Sequence, residues 1–255
     1  MQRRQFLRGV SLAIMGLALP RARAGNNDAR ALLDLIDDLY RAEHSHAVME
    51  MKVVTPRYER TLKLEGWSRG QDHSLVRILS PKKEAGTATL RVDEDLWNYL
   101  PRVRRTMRIP SSMMGGSWMG SDFTNDDLVR ESRFTRDYDF QISFEGERER
   151  RKVVEITCTP KPKAAVVWGK VTTELDMADR STPMPWRVRY YDEKMHLART
   201  MFFEEVGALD GRRLPTVMRL VPENKPGQYT EMHYLELDTK SPVPDDTFSL
   251  QRLKD

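Results

Sequence analysis

From about residue 46 onward, apolar side chains recur at every second position, and they do so through most of a 255-residue chain. Period two is the signature of strands with one buried face, so the bulk of the molecule must be antiparallel sheet rather than helix bundle or alternating strand and helix. Ala47, Met49, Met51 and Val53 alternate with Glu50 and Lys52. Thr55-Pro56-Arg57 then turns the chain into 60–67, and Arg69-Gly70-Gln71-Asp72 turns it into 73–79. Tyr138, Phe140, Ile142 and Phe144 share a face, Glu145-Gly146-Glu147 marks a turn, and Val154, Ile156 and Cys158 return. Comparable runs follow at 166–177, 186–191, 197–206, 214–221 and 229–237, with Asp210-Gly211 and Pro226-Gly227 as turns. With 87–92, 96–100 and 103–109 these predict about eleven or twelve strands.

One segment breaks the pattern. Asp28 can cap a helix reaching to about 42, with Leu32, Leu33, Ile36, Leu39 and Tyr40 as an apolar stripe and Asp34, Asp37, Asp38 and Arg41 opposite. So many strands with one or two helices cannot all bury a face in a flat open sheet. The predicted fold is therefore mainly β: an antiparallel sheet curled into a barrel or half-open barrel, with a helical or loop lid over its open side. An outer-membrane barrel is a poor fit, because charged residues make up 31% of the chain and interrupt any apolar outer belt.

Residues 1–24 read as an export signal, with Arg3 and Arg4, an apolar run over 10–19, and Ala22-Arg23-Ala24 before Gly25. The run is too short to span a bilayer. The paired arginines before Gln5-Phe6-Leu7-Arg8, and the further positive charge of Arg21 and Arg23, point to twin-arginine export, with the general Sec route second. Residues 25–255 are then one domain in the periplasm. The signal carries five arginines and no acid, so its removal takes the net charge from +4 to −1. That withdraws the case for a nucleic-acid partner that a basic pI would make.

No enzyme is legible. Cys158, the single cysteine, alternates with Val154 and Ile156 and reads as a buried structural thiol; intramolecular disulfides and cysteine-rich zinc sites are excluded. The five histidines are scattered, with His44 and His46 expected near the end of the first helix in surface or capping roles. No phosphate-cradling loop or dinucleotide fingerprint is present, and Gly116-Ser117-Trp118-Met119-Gly120 lacks the second glycine of a nucleophile elbow. Asp122 is a plausible helix cap, and Asp126 and Asp127 favour capping or solvation over acid-base work. Neither a catalytic residue nor a cofactor is expected.

The segment 98–128 remains. Its arginine-rich hairpin around Pro101 places Val103, Arg105, Met107 and Ile109 on one face, with Arg104, Thr106 and Arg108 on the other. Arg105 is the odd residue of an apolar face. It could anchor a carboxylate or acidic head group through its planar fork, form an ordinary ion pair, or simply stand at the sheet's edge. Arg102, Arg104 and Arg108 read as a solvated face, or as one able to touch an anionic membrane. Beyond Pro110, Met113, Met114, Trp118 and Met119 sit among glycines and serines unsuited to a helix interior. Such apolar anchors must cover something: either they form a lid over an apolar cavity, or they plug the barrel by packing alone.

Tyr99-Leu100-Pro101, the arginines that follow, Met119-Gly120-Ser121-Asp122-Phe123, Asn125, Asp127-Leu128 and the tail Asp245-Asp246-Thr247-Phe248 resemble the LolA-like outer membrane lipoprotein-sorting protein family, over about 27–255. The resemblance implies a half-open β-barrel closed by a lid over an apolar cavity, and a periplasmic carrier of lipoprotein acyl chains or lipid. An inner-membrane transporter and an outer-membrane acceptor would be its partners; their identities and the exact cargo do not carry over. The expected cargo-binding residues are Trp97, Tyr99, Arg105, Met107, Ile109, Met113, Met114, Trp118, Met119 and Phe123. The same fold also serves as a sensory or regulatory module acting on envelope proteins, which is the alternative function.

Overall fold

The computed structural model describes residues 26–40, 42–130, 134–164 and 166–255. The expected export signal lies outside the described residues. Helix α1 (Asn26–Asp38) is followed by strands β1 (His44–Val54), β2 (Glu59–Arg69), β3 (His73–Ser80), β4 (Ala88–Val92), β5 (Asp95–Leu100) and β6 (Arg105–Arg108). Short helices α2 (Asn125–Arg130) and α3 (Phe134–Asp137) lead into β7 (Tyr138–Arg148), β8 (Arg151–Pro160), β9 (Lys170–Asp176), β10 (Met184–Tyr191), β11 (Leu197–Leu209), β12 (Arg212–Pro222) and β13 (Tyr229–Asp238). The count is thirteen against the expected eleven or twelve, and every alternating run named from the sequence, the short β4, β5 and β6 included, is a strand of its own.

All thirteen strands form one antiparallel sheet in the order β6-β5-β4-β3-β2-β1-β13-β12-β11-β10-β9-β8-β7. The first and last strands pair at its centre, from Val54↔Tyr229 to His46↔Asp238, and the chain works outward from there in two meanders. Its free edges are β6 and β7, which are consecutive in sequence. The connection 109–137 must therefore travel from one edge of the sheet to the other. The sheet is curled and unclosed, so this connection crosses its concave side.

The concave face carries the main core. Met51, Leu62 and Leu64 from one meander and Ile156, Cys158, Val171 and Leu214 from the other are all fully buried in it. Helix α1 adds Ala29 and Leu33. Past its end, Tyr40 donates its hydroxyl to the Pro215 carbonyl at 2.8 Å. Burial pushes the Cys158 thiol up to about 12, leaving it protonated and unreactive, as the alternation with Val154 and Ile156 predicts.

Cross-strand partners share a face of the sheet, so the pairings Leu75↔Leu90 and Leu90↔Trp97 put these three residues together on the convex side. There they meet Val243, Phe248 and Leu253 of the C-terminal segment in a second, smaller core.

Several local expectations are corrected. Helix α1 ends at Asp38 rather than near 42, so His44 and His46 fall on β1 instead of the helix end. His46 bonds Glu65 at 2.9 Å and stacks on Trp67, while His44 accepts the Val243 N–H. Pro101–Val103 forms a 3-10 turn closed by Arg104 at a left-handed φ of 48°, so β6 begins only at Arg105 and Val103 stands exposed at the hairpin tip. Thr124, not Asp122, caps α2. Its hydroxyl accepts the Asp127 N–H at 3.2 Å and Asp127 accepts the Thr124 N–H at 2.7 Å, a reciprocal capping box.

Candidate functional site

The crossing segment is a built object. Trp118 N–H donates to the Phe123 carbonyl at 2.7 Å, Asn125 N–H donates to Gly116 at 3.0 Å, and Ser117 bridges Thr124, so 116–125 closes on itself as a small hairpin. Its tip is tight, with Met119 at φ 49° and Gly120 at φ 69°; only the glycine takes such a conformation without strain. The Ser121 hydroxyl and N–H both return to the Trp118 carbonyl. This arrangement aims Trp118 and Phe123 at the sheet, where both are buried in the main core with Met119 packed beside them.

Polar contacts tie the hairpin and the start of α2 to four strands; on β2, Arg60 donates to the Met119 carbonyl. On β4, Thr89 accepts the Trp118 indole N–H at 3.0 Å and passes its own proton to Asn98 Oδ1 at 2.7 Å. Asp122 takes the Thr230 hydroxyl of β13 at 2.8 Å and the amide of Gln228, just before that strand, at 2.6 Å. On β11, Arg199 grips Asp127 through both guanidinium nitrogens, at 2.8 and 2.5 Å, and also reaches the Asp122 carbonyl at 3.0 Å. The Arg199 guanidinium lies over the rings of Trp168 and Tyr190, at 4.3 and 4.2 Å, and both members of the Asp127 pair are buried. A buried bidentate pair is costly to desolvate and is costlier still to break from one side.

The expected cargo-binding residues divide between two faces. Trp118, Met119 and Phe123 lie together on the concave side, and Met107, opposite Asn98, has the same orientation. Ile109 and Met114, with Val166, Val167 and Arg108, line an open groove of about 670 Å³ where the end of β6 meets the β8–β9 loop. Met113 is exposed just outside. Trp97 and Tyr99 are not part of this group: they point to the convex side and pack on the second core. Arg105 is exposed at the start of β6, and its side chain makes no ion pair among the described residues, so it stands on the rim rather than inside an apolar chamber.

The sequence reading missed Arg199, Asp127, Thr89 and Thr230 as the groups that seat the segment. Arg199 had the signal that was sought in Arg105, since it shares its parity with Met201 and Phe203 on an apolar face. Among the described residues, no group of three or more His, Cys, Asp and Glu side chains could hold a metal ion, and no helix is long and apolar enough to cross a membrane.

A curled thirteen-stranded antiparallel sheet, left open between its edge strands and crossed on its concave side by a lid-like connection, is the LolA-like fold. Solved structures match it closely. A LolA superfamily protein from Nitrosomonas europaea superposes with a TM-score of 0.74 at 22% identity, covering 88% of this chain and 98% of that one. A DUF1329 family protein from Desulfovibrio piger reaches 0.79 at 22% identity, covering 89% and 97%. A domain from Vibrio parahaemolyticus, described as an outer membrane lipoprotein-sorting protein domain, reaches 0.75 at 24% identity, covering 91% and 98%. A search of curated proteins found no match. A family model described as "-like: Uncharacterized protein" matches residues 70–255, and the chain belongs to that family.

Proposed function

We propose that this chain is a periplasmic carrier that shelters an apolar cargo, a lipoprotein acyl group or a lipid, between the concave face of its sheet and the 109–137 connection. Residues 1–24 would direct its export, by the twin-arginine route. The reading rests on one observation above all: the connection that covers the concave face packs aromatic and methionine side chains inward, yet is fastened to four strands by polar contacts that can exchange with water. A segment serving only as core would gain more from continuous apolar packing than from a desolvated Arg199–Asp127 pair.

The mechanism is burial without bond chemistry. At ~0.8 kcal/mol per methylene, sheltering about ten of them yields on the order of 8 kcal/mol before association and ordering costs are deducted, enough to hold a chain and little enough to release it. Unbranched Met107, Met114 and Met119 suit a surface that repacks around cargo of varied shape. Release then requires a partner that binds the unlatched state better than the latched one.

A titration with a fluorescent fatty acid tests this reading. Saturable binding, with faster entry when Asp127→Asn weakens the latch, supports a lid. If neither the native chain nor the latch variant takes up the probe, the segment is a plug, and a module acting on protein partners replaces the carrier.

A further inference from the structure

The tip of the β5–β6 hairpin carries a cluster of exposed cations. Arg102, Arg104 and Arg105 are exposed there, and the loop before β4 brings Lys82 and Lys83 alongside; the Cβ position of Gly86 in that loop is 3.5 Å from Pro101 Cγ. None of these five side chains has an ion-pair partner among the described residues. The acid in that loop, Glu84, is already engaged by Arg60 at 3.2 Å. Elsewhere arginines are mostly paired, as in the Glu174 cluster with Arg148, Arg187 and Arg189. At the apex of the basic turn Val103 is 64% exposed, an apolar side chain with cations on either side.

We propose that this tip docks the protein on the surface of an anionic phospholipid bilayer, with Arg102, Arg104, Arg105, Lys82 and Lys83 on lipid phosphates and Val103 entering the head-group layer. Charge complementarity identifies the partner. A chain with a net charge of −1 beyond its first 24 residues has no general attraction for an anionic leaflet, but five uncompensated cations on one projecting turn do. Guanidinium forks match phosphate oxygens, and a small apolar residue among them is the arrangement of a side that rests in a membrane interface. The turn is convex rather than grooved and offers no aromatic platform, which is a poor surface for a nucleic-acid strand. Docking here would hold one end of β6 against the lipid surface, with the groove lined by Ile109 and Met114 at the strand's other end. The inference is independent of whether the concave face carries cargo.

Flotation of the exported protein with phosphatidylcholine vesicles, with and without phosphatidylglycerol, tests it. Binding should require the anionic lipid and weaken as salt rises. Neutralising Arg102, Arg104 and Arg105 together to Gln should reduce affinity about 100-fold, since each cation near such a surface contributes about fivefold, or about 1 kcal/mol. Removing two exposed cations elsewhere, Arg150→Gln and Arg213→Gln, should change it much less. All five arginines are exposed, and circular dichroism verifies that the variants fold. No vesicle binding, equal binding to neutral vesicles, or an equal loss per cation in the two variants would overturn the proposal. Retention on immobilised polyglutamate without vesicle binding would also overturn it, in favour of an acidic protein partner.

Discussion

The Trp118 indole donates to the Thr89 hydroxyl at 3.0 Å, joining the middle of the crossing segment to a strand of the sheet's first half. Trp118 is also among the largest fully buried side chains of the protein. This one residue therefore fixes both the depth and the register of the segment. Trp118→Ala should destabilise the protein by about 3–5 kcal/mol through lost packing. Trp118→Phe, which keeps most of the ring but loses the donor, should cost about 1 kcal/mol. Combined with Thr89→Val in a double-mutant cycle read by urea denaturation, it should show coupling of similar size; additive losses would mean that the hydrogen bond does not hold the segment.

Arg199 and Asp127 should behave as a latch in stability measurements too. Removing either partner alone, as Arg199→Met or Asp127→Leu, leaves a buried charge unpaired and should cost about 3–5 kcal/mol, whereas the double replacement should recover much of the loss. Thermal denaturation of the two single variants and the double variant gives the answer, and additive losses would contradict a paired latch.

Trp97 and Tyr99 supply a control for the cargo surface. Because they pack beneath Phe248 and Leu253 on the convex side, Trp97→Ala and Phe248→Ala should each destabilise by about 3 kcal/mol. Neither should alter uptake of an acyl probe by protein that remains folded. Selective loss of uptake in Trp97→Ala would return this residue to the binding surface.

Acid should weaken the convex face of β8–β10. Burial works against ionisation of Glu174, but its bonds from Arg187 and Arg189 prevail and hold its carboxyl below the usual range. A lowered folded pKa means that the unfolded chain binds the proton more readily. The contribution to stability is therefore present above about pH 4.5 and is lost as the pH falls through the lower folded value. Glu174→Gln should be less stable at neutral pH, with a shallower decline below pH 4.5 in chemical denaturation. An unchanged decline would place the acid sensitivity elsewhere.

Much of this architecture was legible because strand alternation is a local signal. Val154, Ile156 and Cys158 announce their common face without reference to anything distant, and Tyr99-Leu100-Pro101 announces the hairpin. The half-open curl followed from having more apolar faces than a flat sheet can bury. What local pattern could not supply was which face lies inward once hairpins stack. Trp97 and Met107 look equivalent in sequence, yet the pairings Leu90↔Trp97 and Asn98↔Met107 send them to opposite sides. The convex core was hidden for the same reason, since it depends on Phe248 returning to strands about 150 residues earlier. Asp127 and Arg199 are 72 residues apart, and only the crossing of the connection over the curled sheet brings them together.

The central claim is that the concave face and its latched cover hold an apolar cargo. Native mass spectrometry, with organic extraction and lipid analysis, tests it most directly on protein exported to a bacterial periplasm and purified without detergent. The account predicts an acylated lipid or lipoprotein that co-purifies with the chain and is displaced by added fatty acid. A bare protein mass that also refuses added lipid, in the native chain and in Asp127→Asn alike, would contradict it.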